Sequence, residues 1–137
     1  MMKMVNVKRS VMTMAVAASA VVAMNWASAQ PATIKDGVYT GEQAAAGKEI
    51  YETRCGACHN VDFFRNTFTN RNNQPLQYLF EEIIVNMPAD MPGSLMDSEY
   101  ETILAHVMSL LNYPAGDAEL NYASGTMSDV VIVPPGQ

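Results

Sequence analysis

Both cysteines of this 137-residue chain and one of its two histidines fall within five consecutive residues, Cys55-Gly56-Ala57-Cys58-His59. No other feature restricts the fold as strongly, because this is the pattern for covalent haem c attachment. Each thiol can add across a haem vinyl group to form a thioether, and the adjacent imidazole is carried onto the iron as its proximal ligand. Gly56 and Ala57 are small, so the backbone can turn tightly against the porphyrin edge.

Three other readings compete for these residues. A thioredoxin-like redox pair also shows CxxC, but it belongs beside a βαβ pattern, and no strand-helix-strand alternation surrounds the motif. A structural zinc site needs four ligands, and beyond Cys55, Cys58 and His59 only His106 remains. A plain disulfide leaves His59 without a role. The haem reading accounts for all three side chains and leads.

Residues 1–29 read as a secretory signal peptide. Lys3, Lys8 and Arg9 precede an apolar run from about Val11 to Met24, and Ala27-Ser28-Ala29 forms an A-x-A cleavage site before Gln30. The apolar run is too short and too alanine-rich for a convincing membrane span. The expectation is export to the periplasm, which agrees with haem c attachment outside the cytoplasm. Cleavage would remove six of eleven methionines and the only tryptophan, Trp26. It would also take three basic residues and no acids, so the formal charge of −6 becomes −9 over residues 30–137. So acidic a surface argues against nucleic acid or an anionic membrane as partner, since both demand basic patches. The 108 residues from 30 to 137 suffice for one small domain with a modest core, which a buried haem would enlarge.

Residues 30–40 read as an extended N-terminal arm, 41–120 as the main domain, and 121–137 as an irregular tail with one β-prone run, Val130 to Val133. A first helix starts at Thr40 or Gly41, where Thr40 and Gln43 make a capping box; Gly47 and Tyr51 share one of its faces. Asn60 to Gln74 reads as an Asn-rich loop anchored by Phe63, Phe64 and Phe68. A second helix runs from Pro75 to about Asn86, with Leu76, Leu79, Phe80 and Ile83 or Ile84 on one face. Met87-Pro88 ends it. The last helix spans about Asp97 to Asn112, capped by Asp97 or by a Ser98–Glu101 box, with Tyr100, Ile103, Leu104, Val107, Leu110 and Leu111 as its apolar stripe. The fold class expected is all-α, with about three main helices.

A CxxCH site supplies one axial ligand, and a methionine thioether on the other face raises the potential and suits electron transfer. Five methionines remain beyond residue 29. Met108 lies inside a helix and Met127 in the tail, whereas Met87, Met91 and Met96 are in or beside the loop joining the last two helices. Met87 and Met91 both precede proline, which fixes backbone geometry where a ligand must be held. His106 is a weaker alternative, because its helix should lie against the first helix, away from the iron.

The stretches AAAGKEIYETRCGACH, NMPADMPGSL and DSEYETILAHVMSLLNYPAG resemble a bacterial class I c-type cytochrome, most closely the small monohaem cytochromes, and cytochrome domains, that accompany PQQ-dependent alcohol dehydrogenases. The resemblance covers about Glu42 to Leu120. It implies a small cytochrome c fold wrapped around one covalent haem c held by Cys55 and Cys58, with His59 and Met87 as axial ligands and Met91 as runner-up. It also implies that Gly47 and Tyr51 mark where the first helix crosses the last. Departures from the family pattern are His106 in place of the usual aromatic, Met96 in place of the usual capping serine, and no Gly/Pro segment after CxxCH to present a carbonyl to the proximal imidazole.

The function expected is that of a periplasmic electron carrier rather than an enzyme, passing electrons from a periplasmic dehydrogenase to a downstream cytochrome or oxidase. Its acidic surface calls for basic docking patches on those partners. The alternatives are a haem protein with an open or labile sixth site, for ligand binding or catalysis, and a thiol oxidoreductase with free cysteines.

Overall fold

A computed structural model describes residues 32–136. The expected signal segment lies outside the described residues, as does Gln137. The described chain is mostly helical: α1 (Gly41–Arg54), α2 (Val61–Asn70), α3 (Leu76–Asn86) and α4 (Asp97–Leu110). Two-residue strands β1 (Ala32–Thr33) and β2 (Val130–Val131) pair in parallel, and a short 3-10 turn spans Thr126–Ser128. Among the described residues no helix is long and apolar enough to cross a membrane.

Four helices stand where three were expected, because Asn60 to Gln74 is not a loop. Asn60 is an N-cap whose Oδ1 accepts the Phe63 N–H at 2.8 Å, and Asp62 places a negative charge in the first turn, where the helix dipole favours it. The Asn and Thr residues that follow are weak helix formers because their side chains compete for backbone hydrogen bonds. Here tertiary burial overrides that preference: Phe68 is buried at the core and Phe64 lies half-buried one turn before it.

The expected caps form only in part. Thr40 Oγ1 accepts the Gln43 N–H at 3.1 Å, but the Gln43 side chain does not return the bond. It turns inward, donating from Nε2 to the Leu120 carbonyl at 2.7 Å and accepting the Leu120 N–H at 2.8 Å through Oε1. On α4 the cap is Met96, whose N–H donates to Glu99 Oε2 at 2.8 Å; Asp97 is the first helical residue. Glu101, assigned to a capping box from sequence, is buried and accepts the Tyr122 N–H at 2.7 Å. Both corrections share one cause. The chain beyond α4 runs past α1 and α4 with no strand partner there, and its buried amides require side-chain partners.

Helix α4 closes with a Schellman arrangement in which Asn112 takes the left-handed φ of 62°. The Tyr113 N–H donates to the Met108 carbonyl at 3.1 Å and the Asn112 N–H to the Ser109 carbonyl at 3.0 Å. The tail is integral to the core. Leu120, Met127, Val130 and Ile132 are buried, the Ile132 carbonyl and N–H bond Asn73 and Gln74, and Ile34 of the arm is fully buried with them.

The most extensive pairing is α1 against α4. At their crossing, a Cβ on Gly47 would lie 1.9 Å from the Thr102 carbonyl oxygen and 2.8 Å from the Ile103 nitrogen. Both are helix backbone and cannot rotate away, so only glycine permits this approach. Gly47→Ala is therefore expected to lower unfolding stability by about 3 kcal/mol or more. Gly41→Ala, with nothing within 4 Å of the added carbon, changes it by less than about 1 kcal/mol. Urea unfolding of both variants checks this, and a Gly47→Ala protein within about 0.5 kcal/mol of wild type would refute the crossing argument.

Candidate functional site

The end of α1 builds the CGACH turn. Cys55 leaves helical geometry at φ −127°, ψ −45° while its N–H and that of Gly56 still donate to the Tyr51 carbonyl, at 2.9 and 2.8 Å. The N–H groups of Cys58 and His59 then donate back to the Cys55 carbonyl at 3.1 and 2.9 Å. This compact turn delivers His59 directly to Asn60, the cap of α2. Cys55 is half-buried and Cys58 exposed, and the two thiols are not joined to each other. Burial pushes the Cys55 thiol pKa up, with a smaller opposing effect from the Arg54 guanidinium.

Cys55 and His59 line a cavity of about 440 Å³, within the range of about 300–1,000 Å³ usual for cofactor sites. Helix α2 contributes Phe63, Phe64 and Phe68 to its wall, α3 contributes Leu79 and Ile83, and α4 contributes Ile103, Leu104 and Val107. Met87 and Pro88 line it from the exit of α3. The lining is thus largely apolar over three helices, with Thr67, Glu82 and Asn86 as polar exceptions and one imidazole, one thioether and one thiol among its side chains. Arg54 and Arg71 also reach the lining; Arg54 lies 3.6 Å from Asp90, and Arg71 pairs with Glu82.

The methionines separate by position. Met87 is half-buried on the cavity, whereas Met91 and Met96 are well exposed and are not on its lining. Met108 and Met127 are fully buried in the core. Met87 sits in extended geometry, φ −124° and ψ 153°, as the C-cap of α3. Its carbonyl accepts the Tyr100 hydroxyl at 2.7 Å and the Gly93 N–H at 3.2 Å.

These residues fit a haem c. The cavity has the size and the largely apolar walls for a large apolar group, and its donors, imidazole nitrogen and thioether sulfur, are the pair that ligates iron in electron-transfer haems. The competing readings find less. Helices, not a βαβ unit, flank the CxxC pair, and among the described residues no three His, Cys, Asp or Glu side chains gather to hold a metal ion.

No hydrogen bond to the His59 ring is present among the described residues, so no carbonyl is seen to orient the imidazole. Aromatic rings flank it instead. The Phe63 ring lies 4.2 Å from the His59 ring at an interplanar angle of 30°, and Phe64 meets it edge-on at 5.7 Å. Sequence reading missed Tyr100 as a site residue and treated it only as apolar stripe. The periodicity that placed it in the core carries no information about where its hydroxyl ends.

His106 lies on the other side of α4, against α1 and off the cavity. Its ring is 5.1 Å from that of Tyr51, and Nδ1 is 3.1 Å from the Ala44 carbonyl. A carbonyl only accepts, so Nδ1 carries the proton in the neutral ring. Comparison of the chain with protein-family models, with curated proteins and with solved structures finds no match in any of the three.

Burial holds the His106 pKa below its ordinary value, and the hydrogen bond to Ala44 and the Glu52 charge only partly oppose this. The unfolded chain takes up a proton near pH 6.5 while the folded protein resists it, so stability falls as pH drops below that point. In His106→Gln, which cannot titrate, this part of the loss is absent. The stability difference between variant and wild type should shift in favour of the variant from pH 7.5 to 5, as followed by urea midpoints. A pH-independent difference would contradict the assignment.

Proposed function

We propose that the chain is an exported electron carrier with one haem c, attached through Cys55 and Cys58 and ligated by His59 and Met87. The observation that carries this reading is convergence: Cys55 and His59 from the CGACH turn and Met87 from the exit of α3, 28 residues further on, line one largely apolar cavity. When bound, the haem supplies one-electron chemistry between ferric and ferrous iron. The protein's own residues do the rest. His59 and Met87 would hold the metal and the Phe63, Phe64, Phe68 and Leu79 side chains would exclude water, while Cys58 stands exposed on the CGACH turn and off the cavity lining.

A thioether ligand in a dry pocket favours the reduced state and a raised potential, which suits a carrier accepting electrons from a dehydrogenase. The PQQ-type dehydrogenase as donor rests on resemblance, as does a cytochrome or oxidase downstream. Over residues 30–137 there are five Lys and Arg against fourteen Asp and Glu, so the surface a partner meets is acidic. Reaction rates with the physiological donor should fall as ionic strength rises from about 10 to 150 mM and the screening length shrinks from about 30 to 8 Å. Rates that rise with salt would contradict electrostatic docking.

The ligand set has a direct test. The exported protein is expected to carry one added haem mass, and its ferric form the weak charge-transfer band of a thioether-ligated haem. Met87→Ala should abolish the band and open the ferrous protein to rapid carbon monoxide binding, while Met91→Ala leaves both properties as in wild type. Loss of the band in Met91→Ala instead would reassign the ligand. Ready carbon monoxide binding by the wild type would favour the open-site alternative, and a protein with no added haem mass would return the motif to thiol chemistry.

A further inference from the structure

Two buried tyrosines, one on each helix of the central crossing, place their hydroxyls on the backbone of the two residues that the cavity offers to iron. Tyr51 on α1 donates to the His59 carbonyl at 3.0 Å. Tyr100 on α4 donates to the Met87 carbonyl at 2.7 Å. Neither tyrosine lines the cavity, and both rings are buried in the core. We propose that Tyr51 and Tyr100 are positioning residues, each tying one axial ligand to the α1/α4 crossing through its main chain; the proposal rests on the haem reading of the cavity.

Satisfying a stray carbonyl is not a sufficient account of the Met87 bond. The Gly93 N–H already reaches that carbonyl, so it would keep a partner without Tyr100. What the phenol adds is a connection between a residue outside any helix and α4, half of the most extensive helix pairing in the protein. Without it, Met87 is held through α3 on one side and the Pro88–Leu95 segment on the other, a stretch containing the exposed Met91. The His59 side follows the same logic. Its ring has no hydrogen bond among the described residues, so its orientation depends on where the backbone puts Cα and on the Phe63 and Phe64 rings. Tyr51 fixes the first of these.

The test uses the haem-loaded protein and the variants Tyr100→Phe and Tyr51→Phe, which retain the rings. Removing one neutral hydrogen bond should raise the rate of carbon monoxide binding to the ferrous protein, gated by Met87 release, about three- to tenfold in Tyr100→Phe. In Tyr51→Phe that rate should stay within about twofold of wild type. In the ferric proteins, the hyperfine-shifted Met87 methyl resonance should move in Tyr100→Phe and the His59 ring resonances in Tyr51→Phe. Tyr113→Phe is the control. It removes a 2.6 Å bond of the same kind, to the Val133 carbonyl away from the cavity, and should lower stability without moving either set.

The proposal is overturned if both variants leave the carbon monoxide rate and the resonances at wild-type values, or if Tyr113→Phe moves them equally. Should either variant not fold, slow exchange of the two phenolic protons in the wild-type protein decides instead, and free exchange counts against the proposal. A wild type with no thioether-bound haem refutes the reading of the cavity and this proposal with it. A wild type with Met87 on the iron and silent tyrosine variants refutes only the tyrosine roles.

Discussion

The close approach of α1 and α4 at Gly47 is the constraint from which the rest of the structure follows. With no Cβ at that position, the Thr102 carbonyl sits where a side chain would begin, and two helices distant in sequence become one rigid unit. Each then presents several faces at once. The end of α1 carries the CGACH turn into the cavity, while Ile103, Leu104 and Val107 of α4 close the cavity from another side. His106 and Tyr51 fill the space between the helices. Separating the pair by one methyl group would therefore disturb the CGACH turn and the cavity wall together.

Around this unit, tyrosine serves as the fastener. Tyr39 donates to the Tyr113 carbonyl at 2.6 Å and Tyr113 to the Val133 carbonyl at 2.6 Å, so arm, α4 exit and tail are linked in series. Burial raises the Tyr113 pKa well above its ordinary value, which keeps the phenol protonated and donating. A tyrosine suits this task because its ring contributes apolar burial while its hydroxyl reaches an irregular segment beyond. Gln43 and Glu101 do the equivalent for Leu120 and Tyr122 with polar side chains. Each bond is made to backbone outside the helices, the part of the chain that has no ladder of its own and would otherwise bury unsatisfied groups.

These fasteners mark the boundary of what could be read from the sequence. Helices α1, α3 and α4 were legible because Thr40, Met87-Pro88 and the apolar stripe from Tyr100 to Leu111 are local signals, each decided within a turn or two. Helix α2 was not, since Asn66, Thr67, Thr69 and Asn70 vote against a helix locally and only the burial of Phe64 and Phe68 by other elements outweighs them. The Asn60 cap with Asp62 behind it was the available clue. For the site, CGACH and two MP pairs narrowed the residues to a handful. The choice among methionines depends on where the chain folds back, which is a matter of packing. The bonds of Gln43, Glu101, Tyr51 and Tyr100 were beyond reach for the same reason, because a side-chain donor has no sequence signature for a partner far along the chain.

The size of the cavity bears on how such a small domain is held together. Its walls, with Phe63, Phe64, Phe68 and Ile103 among them, are apolar surface that a bound group would take out of water, at about 25 cal/mol per Å². The net stability of a whole domain is only about 5–15 kcal/mol. A chain of this length therefore has little margin to maintain such a cavity for its own sake, and the group that fills it would contribute a large share of the folding free energy. In the proposed haem c form, covalent attachment at Cys55 and Cys58 would then have a physical rationale beyond retention of the cofactor. It would make that contribution permanent, so that the apolar walls proposed to hold a haem would also serve as part of the core of the fold.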